Sequence, residues 1–590
     1  MFSNTVLRDI LFFICKFAEE FNFLVMNLHK NKEMALRDYI MILALGGVLA
    51  VQAQEEPAAP VFRPPFDFPL TLSGNFGELR SNHFHGGVDF KTQGEVGKPV
   101  HCIADGYVSR VSVTPGGYGQ AIYIIHPNGY TSVYGHVLKF APAVAELVEE
   151  YQYEHETFAV DLEFEPHQIS FKAGEIIALS GNEGYSFGPH LHMEIRRTDT
   201  GELIDPLQFY TDKIKDTTPP RASMIMLYPQ RGAGVVEGSQ RKKSIPVASL
   251  GQPVSAWGEI AAGIKAYDYM DGTHNNYGVR SVVLYVDTTE VFRSTVDGVL
   301  PEENRMINAW TDYEENVKRH NWVMRSQILP GSRLRMLQAD DKGGVITIDE
   351  ERDYHFRYEL ADLYGNKSTY RFVVRGRRQP IEEYHPQVRH YLAWNKGNVV
   401  QEPGMELVIP RGMLYEDVAL NCCQVVKDTA AISYEYQLHD EPVALQAGCM
   451  LMIGVRHLPV EDTSKYYVAR KWGNRTGSAG GTYENGWMKT SIRELGTYTV
   501  AVDTLSPRVT PLNKAQWKTG RIQFKIGDAE TGVKDYKVKI DGEFALFGFS
   551  SKNARLWMKH PERLKKGAAH KLELVVTDYC GNETREEYEF

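Results

Sequence analysis

Residues 117–137 read GYGQAIYIIHPNGYTSVYGHV, and this stretch decides the fold class of the first part of the chain. A short apolar run at 121–125 precedes the turn PNGY at 127–130. A second run at 100–108 and the turn PGGY at 115–118 repeat the pattern. Short runs separated by glycine-bearing turns are typical of antiparallel strands. We therefore expect an antiparallel β-rich domain here.

Four histidines and one aspartate lie within or near this stretch in three short motifs: HGGVD at 85–89, YGH at 134–136 and PHLH at 189–192. A catalytic zinc ion usually takes three protein ligands and leaves a fourth position for water. His85, Asp89 and one histidine of the pair His190 and His192 would supply such a set.

The residues around the histidine pair predict how it is presented. Apolar and polar side chains alternate from His190 onwards, with Leu191, Met193 and Ile195 between His190, His192 and Glu194. This alternation indicates a strand with one apolar and one functional face. Residues two apart in a strand point to the same side, so both histidines face one cavity.

The segment from His85 to Asp89 must bend if both side chains bind one ion. Four fully extended residues would span roughly 13 Å, too far for a shared ligand site. Gly86 and Gly87 permit the bend, because glycine reaches backbone angles that other residues avoid.

Three segments together resemble the lysostaphin/LytM-type zinc metallopeptidases: HGGVDF at 85–90, residues 117–137, and LSGNEGYSFGPHLHMEIR at 179–196. The resemblance covers roughly residues 66–210. Members of this family cut peptide bonds in bacterial cell-wall peptidoglycan. The resemblance implies that His85, Asp89 and His192 bind one Zn2+ ion. It also implies that His136 and His190 orient the attacking water and stabilise the developing oxyanion.

These residues predict an exported zinc metalloendopeptidase that hydrolyses peptide bonds in peptidoglycan stem peptides or cross-links by zinc-activated water. Which of His136 and His190 acts as the base stays open. The alternative is a non-cleaving envelope factor that binds peptidoglycan or activates another cell-wall hydrolase. Degenerate relatives of that kind lack ligands, whereas all five positions are filled here, which favours the enzyme.

Other histidines offer alternatives to this assignment. His83 shares a strand face with His85 and is an alternative ligand, although the family's four-residue step to Asp89 selects His85. A purely structural zinc site, or no metal, is the alternative for the whole set. Structural sites are usually closed and rich in cysteine, and no cysteine neighbours these histidines. His101, His126 and His167 are expected to be surface or core residues.

The length and net charge limit the number of domains and the kinds of partner that we expect for the rest of the chain. At 590 residues we expect several domains, and a net charge of -10 gives no support to nucleic-acid binding. We expect a mostly β protein with these parts: an extension ahead of the mature protein at 1–33, a signal peptide at 34–53, a proline-rich linker at 54–65, a zinc peptidase domain at 66–212, an immunoglobulin-like β-sandwich at 216–376, a β-rich domain of unassigned topology at 380–502, and a second immunoglobulin-like β-sandwich at 503–590.

The segment from Met34 has the pattern of a secretory signal. Arg37 precedes an apolar run at 39–50, and a small-residue cleavage site ends at Ala53. The run is shorter than the roughly twenty residues of a spanning helix. We therefore expect cleavage, export to the periplasm or cell envelope, and no stable membrane span afterwards; an uncleaved anchor is the alternative.

The part of the chain beyond the peptidase-like segment contains an internal repeat. DTTPPR at 216–221 parallels DTLSPR at 503–508, and DLYGN at 362–366 parallels DYCGN at 578–582. Short alternating strands in both copies predict two β-sandwiches of immunoglobulin type. The Asp-x-x-Gly-Asn segments are predicted to be tight turns, with a calcium site as the alternative. These C-terminal domains could bind glycan, bind an envelope protein, or set the distance of the peptidase from an envelope layer.

Residues 141–168 depart from the family pattern, since this connection is longer and more acidic than usual. We expect a solvated surface hairpin or helix, and the alternative is a lid beside the zinc. Deletion of residues 146–161 is expected to leave folding intact in either case.

Overall fold

The computed structural model describes residues 61–386, 388–420, 423–565 and 567–590. The expected extension and signal peptide, 1–33 and 34–53, and linker residues 54–60 lie outside this range. Residues Phe62–Phe590 form one unit, built from four consecutive β-rich modules. We call these the first module (62–215), the second (216–376), the third (389–502) and the fourth (503–590). Within the described ranges, no helix has both the length and the apolar character needed to cross a membrane.

The first module contains fourteen strands and one helix. Its elements are β1 (Leu72–Gly74), β2 (Leu79–Arg80), β3 (His83–Phe84), β4 (Val88–Lys91), β5 (Pro99–His101), β6 (Gly106–Val113), β7 (Gln120–Ile125), β8 (Tyr130–Gly135), β9 (Lys139–Phe140), α1 (Pro142–Glu154), β10 (Val160–Glu163), β11 (Ser170–Phe171), β12 (Ile176–Leu179), β13 (His190–Arg197) and β14 (Leu203–Ile204). The main sheet has the order β1-β4-β13-β8-β7-β6-β10, and β5-β12-β9 form a smaller sheet. All strand pairs of the main sheet are antiparallel, as the sequence predicts.

The centre of the main sheet explains why the site residues meet. Strand β13 pairs with β4 on one side and with β8 on the other, so His192 lies opposite Asp89 and opposite Gly135. Leu191 and Met193 alternate with the histidines and are fully buried in the core of the module. One face of β13 is therefore fixed by burial of apolar surface, and the opposite face carries the polar residues.

The insertion at 141–168 begins as helix α1 and continues into β10, which pairs with the edge strand β6. The predicted surface helix is present, but it is not only a solvated element. Val144, Val148 and Phe158 are buried and belong to the hydrophobic core of the first module. The expectation that residues 146–161 can be deleted without harm is therefore wrong, because the deletion would remove core side chains.

The second module contains eleven strands and two short helices: β15 (Arg221–Val236), β16 (Lys243–Pro246), β17 (Val254–Tyr267), β18 (Ser281–Val286), β19 (Thr289–Thr295), β20 (Gly298–Val299), α2 (Ile307–Trp310), α3 (Tyr313–Arg319), β21 (Met324–Arg325), β22 (Leu337–Ala339), β23 (Ile346–Ile348), β24 (Asp353–Ala361) and β25 (Lys367–Gly376). Its sheet has the order β16-β15-β17-β25-β24-β18-β19-β22. Strand β20 pairs with β14, which joins the first and second modules.

The third module consists of β26 (Tyr391–Leu392), β27 (Asn398–Glu402), β28 (Met405–Ile409), β29 (Val418–Ala419), β30 (Gln424–Val426), β31 (Glu435–Gln437), β32 (Val443–Gly454), β33 (Tyr466–Trp472), β34 (Arg475–Ser478), β35 (Thr482–Glu484), β36 (Trp487–Leu495) and β37 (Thr497–Val502). Two five-stranded sheets enclose its core, with the orders β27-β28-β32-β36-β35 and β30-β31-β37-β33-β34. The topology that the sequence left unassigned is thus a pair of antiparallel sheets.

The fourth module consists of β38 (Arg508–Leu512), β39 (Gln523–Gly527), β40 (Val533–Ile540), β41 (Glu543–Phe544), β42 (Phe547–Ser550), β43 (Arg555–Met558), β44 (Lys571–Asp578) and β45 (Glu583–Glu589). Its two four-stranded sheets have the orders β38-β39-β43-β42 and β41-β40-β44-β45. Trp517 and Phe524 fill the space between them.

The second and fourth modules share a pairing scheme. The run β19-β18-β24-β25 in the second corresponds to β41-β40-β44-β45 in the fourth, and the pair β15-β17 corresponds to β38-β39. The two Asp-x-x-Gly-Asn turns also match, because Asn366 and Asn582 each donate from the backbone and from Nδ2 to the aspartate four residues earlier. The repeat in the sequence therefore corresponds to a repeated arrangement of strands. The immunoglobulin-like classification of both modules stays a prediction.

Candidate active site

Three side chains of the first module converge at the centre of its main sheet. His85 Nε2 lies 3.0 Å from Asp89 Oδ1 and 2.9 Å from His192 Nδ1, and His192 Nδ1 lies 2.9 Å from Asp89 Oδ1. All three residues are buried. The chain bends between β3 and β4, which brings His85 back towards Asp89.

The glycines of the bend act mainly through space rather than through unusual backbone angles. Neither Gly86 nor Gly87 has a positive φ. A Cβ atom on Gly87 would instead lie 2.2 Å from the carbonyl oxygen of Met193 on β13. Glycine at 87 therefore allows this segment to approach β13 closely, and the earlier explanation by backbone angles is corrected.

Neighbouring groups fix the tautomers of both histidines. His85 Nδ1 lies 2.6 Å from the Asn75 carbonyl, and His192 Nε2 lies 3.0 Å from Glu194 Oε1. Since a carbonyl only accepts hydrogen bonds, and a carboxylate does so when ionised, these nitrogens carry the protons. Metal binding requires both imidazoles to be neutral, and in that form the lone pairs of His85 Nε2 and His192 Nδ1 face each other and Asp89.

Asp89 is held in the same manner on its other oxygen. Arg80 donates to Asp89 Oδ2 at 2.6 Å and also approaches Glu78 at 3.6 Å. Oδ1 is therefore the oxygen that faces the two imidazoles. Such outer partners orient metal ligands in proteins and tune their basicity.

The donor set fits a zinc ion. Two imidazole nitrogens and one carboxylate oxygen, each oriented by an outer hydrogen bond, are the ligand types of open catalytic zinc sites. His85, Asp89 and His192 also form one of the groups in which carboxylate and imidazole atoms come close enough to hold a metal ion.

His136 and His190 lie beside this group with their rings edge to face and the ring centroids 4.7 Å apart. His136 Nδ1 is bonded to the Glu183 carbonyl at 2.8 Å, and His190 Nδ1 to the Gly188 carbonyl at 2.8 Å. Each Nδ1 thus carries a proton and directs the ring. His190 Nε2 lies 3.5 Å from Asp89 Oδ1.

Burial and nearby charges shift the pKa values in this group. Burial lowers the pKa of His85 to about 4, and burial together with the neighbouring imidazoles lowers the pKa of His136 to about 3. Burial also opposes the charged form of His192, but hydrogen bonds to Asp89 and Glu194 outweigh it and raise its pKa to about 9. The structure thus makes His136 a neutral imidazole at pH 7.

The histidines that were not assigned to the site occupy surface or core positions outside the group of three. His83 is exposed, its Nδ1 bonds to the Ser81 carbonyl, and it lines the cavity without belonging to the group of three. His126 is buried and bonded to the Asp105 carbonyl and Ser132. His101 bonds to the Gly174 carbonyl, and His167 is exposed beside Tyr107.

A cavity of about 1280 Å³ opens over the site. Two aromatic side chains at its rim, Tyr185 and Phe187, are 63% and 90% exposed. Asn304 and Trp322 of the second module line the cavity as well. The lining in the described part of the chain includes no residue of the insertion 141–168. The insertion therefore does not form a lid over the site in this structure.

Residues 83–153 match the model of peptidase family M23. The first module thus contains an M23 peptidase domain. A separate model, the Zu5-like domain, matches residues 389–503 and so covers the third module. The chain is mostly β, with the M23 domain followed by β domains.

Curated relatives match about a quarter of the chain. An uncharacterized metalloprotease of Haemophilus influenzae is 33% identical over 157 residues, which are 27% of this chain and 26% of that protein. A DD-carboxypeptidase/endopeptidase of Neisseria meningitidis is 30% identical over 22% of this chain and 23% of its own length. A glycyl-glycine endopeptidase of Staphylococcus capitis is 32% identical over 24% of this chain and 31% of its own length. The chain thus spans between about a quarter and a third of these relatives.

Among solved structures, the catalytic domain of lysostaphin from Staphylococcus simulans is 26% identical and has a TM-score of 0.17; the match covers 23% of this chain and 87% of that chain. A catalytic domain of the M23 protein EnpA from Enterococcus faecalis is 23% identical, with a TM-score of 0.19, over 25% of this chain and 95% of that chain.

Sequence reasoning gave no role to Arg80, Asn75 and Glu194, although each holds one of the three converging residues. A signal existed for Glu194, since the alternation along β13 places it on the face of the histidines. Arg80 had no such signal, because it meets Asp89 only after β2 and β3 fold against each other.

Proposed function

We propose that this chain is an exported zinc metalloendopeptidase that hydrolyses peptide bonds in peptidoglycan. The observation that carries the proposal is the complete set of five residues. Three preoriented ligands, His85, Asp89 and His192, lie beside two further imidazoles in one open cavity. Relatives named as a DD-carboxypeptidase/endopeptidase and a glycyl-glycine endopeptidase support the same class of substrate.

Each of the five residues has a separate role in the proposed reaction. His85, Asp89 and His192 would hold the zinc ion, which when bound lowers the pKa of water and polarises the scissile carbonyl. His136 presents an unprotonated Nε2, because its Nδ1 proton is bonded to the Glu183 carbonyl. This nitrogen accepts a hydrogen bond from the attacking water and orients it.

His190 takes the complementary role. Its Nδ1 is bonded to the Gly188 carbonyl, and its Nε2 lies towards Asp89 and the cavity. In its doubly protonated form, His190 donates a hydrogen bond from Nε2 to the oxygen of the scissile carbonyl as negative charge develops there. Donors of this kind act most strongly when they are fixed in advance, as the Gly188 carbonyl fixes this ring.

The substrate would enter past the aromatic rim. Tyr185 and Phe187 project from the loop that precedes β13 and give the cavity an exposed apolar edge. An apolar edge of this kind can contact a stem peptide, while selectivity for a particular bond depends on the shape of the groove.

We also propose that the protein is exported to the periplasm or cell envelope, which the signal pattern at 34–53 supports. We further propose that the C-terminal modules contact an envelope protein.

One pair of measurements tests the enzymatic proposal. We expect stoichiometric zinc in purified wild-type protein and in His190→Ala, and release of soluble peptides from peptidoglycan by the wild type only. Zinc-loaded wild type that releases no peptide from peptidoglycan would contradict the proposal and favour a binding role.

A further inference from the structure

A second group of acidic residues lies in the second module, outside the peptidase site. Carboxylate oxygens of Asp216, Asp268 and Asp362 lie within 4.8 Å of one another. These residues are only 7%, 6% and 6% exposed. Three carboxylates so close together and so deeply buried repel each other strongly unless a cation or protons neutralise them.

The hydrogen bonds around the group leave two oxygens unsatisfied. Asp216 Oδ1 accepts from the Thr218 amide at 2.9 Å, and Asp362 accepts from the backbone and Nδ2 of Asn366. Asp216 Oδ2 and Asp268 Oδ1 are buried without a hydrogen-bond partner. Both oxygens belong to carboxylates of the cluster, and leaving such an atom unpaired costs free energy.

Protein cations do not neutralise the group. Within the described ranges, no lysine, arginine or histidine forms an ion pair with any of the three aspartates. Burial, with a contribution from neighbouring carboxylates, raises the pKa of Asp268 to about 8 and that of Asp216 to about 6. Without a bound cation Asp268 is therefore mostly protonated at pH 7, and the site is a buried, oxygen-only group that a cation would bind by displacing this proton.

We propose that Asp216, Asp268 and Asp362 bind one calcium ion. An oxygen-only donor set selects a hard cation over zinc, which favours nitrogen and sulfur ligands. Calcium tolerates irregular arrangements of six to eight oxygens and completes its shell with carbonyls and water, whereas magnesium requires a nearly regular octahedron. The ion supplies the missing partner of both unsatisfied oxygens.

The three aspartates come from three separate segments, so the ion ties them together. Asp216 lies in the connection that leaves the M23 domain, Asp362 lies in the turn between β24 and β25, and Asp268 follows β17. Asp268 and Tyr277 exchange backbone hydrogen bonds of 2.9 and 3.0 Å, which close a loop at 268–277. The calcium ion would therefore anchor the base of this loop.

This loop supports the peptidase site. Tyr277 donates to the Leu72 carbonyl at 2.8 Å, and the adjacent Gly278 exchanges two 2.8 Å hydrogen bonds with the Asn75 side chain. The Asn75 carbonyl in turn orients His85. A series of hydrogen bonds thus connects the proposed calcium site, through the loop and Asn75, with the zinc ligand His85. Only this consequence depends on the proposed function; the calcium site itself does not.

The repeated module offers a matched control. Asp503, Asp528 and Asp578 form the corresponding cluster of the fourth module. There Thr531 donates to Asp503 Oδ2 at 2.7 Å, and three backbone amides donate to Asp528 Oδ2. In the described part of the chain, this cluster contributes no buried oxygen without a partner.

Calcium binding to the full chain tests the inference. Wild type, Asp268→Asn and Asp528→Asn are loaded with zinc, freed of calcium, and titrated with CaCl2 by calorimetry while thermal unfolding is followed. We expect one calcium ion per chain and a rise in Tm for wild type and Asp528→Asn. Asp268→Asn should bind at least tenfold more weakly, yet unfold no earlier than wild type without calcium, because a neutral amide of similar shape replaces a carboxyl that is costly to ionise at this buried position.

The following binding results would contradict the proposal. Wild type without calcium binding, or Asp268→Asn with unchanged affinity, contradicts it, as does a loss of binding confined to Asp528→Asn. Should Asp268→Asn fail to fold, Asp362→Asn replaces it. Tb3+ luminescence on wild type, sensitised by Tyr364 beside the three carboxylates, then provides the second readout. Tb3+ that calcium does not displace would also contradict the site.

Discussion

At the level of single residues, the outer partners of the ligands decide which atoms face the metal. Arg80 occupies Asp89 Oδ2 at 2.6 Å and leaves Oδ1 for the site. The pKa of Asp89 lies well below its usual range: burial alone would raise it, and the neighbouring histidines lower it. A ligand that stays ionised and has one fixed oxygen binds metal without reorganising.

Substitution of Arg80 by methionine tests this role. We expect zinc affinity to fall by about 10- to 100-fold, the usual range for loss of an outer partner. A zinc competition assay measures the change. Arg110→Met is the matched control, since Arg110 pairs with Asp161 in an exposed ion pair on the same domain. Equal affinities for Arg80→Met and wild type would remove the assigned role.

The two non-ligand histidines should separate catalysis from metal binding. For His136→Ala and His190→Ala we expect peptide hydrolysis to fall about 10²- to 10⁴-fold with zinc content unchanged. His85→Ala should lose zinc, whereas His83→Ala should retain both zinc and activity, because His83 is exposed and bonded to the Ser81 carbonyl. Zinc loss in His83→Ala would restore the alternative ligand assignment.

At the level of elements, helix α1 serves both the M23 domain and the fourth module. Val144 and Val148 face the core, while Glu149 pairs with Arg563 at 2.5 Å and Tyr153 packs against Phe544 at 5.6 Å between ring centroids. The ion pair is partly exposed and contributes little to stability by itself. The acidic character of the insertion is therefore explained in part by its contact with a basic edge of the fourth module.

Val144→Ala measures how much the helix contributes to the core. Val144 is fully buried, so we expect the free energy of unfolding to fall by about 2 kcal/mol from lost apolar burial and the cavity left behind. Denaturant unfolding monitored by circular dichroism measures the loss. Glu146→Ala, exposed on the same helix, should change stability by less than about 0.5 kcal/mol. Equal effects of both variants would show that α1 is not a core element.

At the level of the whole molecule, the fourth module reaches the rim of the peptidase cavity. Ser551 donates from its backbone and side chain to the Pro115 carbonyl at 3.1 and 3.0 Å. Lys552 bonds to the Ser186 carbonyl and lies 5.3 Å from the centre of the Phe187 ring. The loop that carries the exposed aromatic residues is thus fastened by the last module.

Removal of this fastening should alter substrate binding more than chemistry. For Lys552→Ala we expect KM for peptidoglycan fragments to rise up to about tenfold with kcat nearly unchanged, as loss of one charge-assisted hydrogen bond implies. Steady-state kinetics separates the two constants. Lys571→Ala, whose side chain pairs with Glu573 and Glu587 of the same module, is the control. A fall in kcat alone would instead place Lys552 in the catalytic step.

The local pattern of the sequence was sufficient to predict the strands and the main residues of the site. Alternation along 190–196 predicted β13, and the repeated Asp-x-x-Gly-Asn segments predicted two matching turns. These features depend on neighbours in the chain, because the side-chain period of a strand and the geometry of a tight turn are local properties.

The sequence by itself determined the β class, the M23 resemblance and which residue types gather at the site. The tertiary structure alone decided which atoms face one another: Arg80 on Asp89, the second-module loop on Asn75, Lys552 on the rim, and the buried aspartates of the second module. The physical reason is that these contacts join residues far apart in the chain. Their distances follow from packing and strand register, which no local pattern encodes.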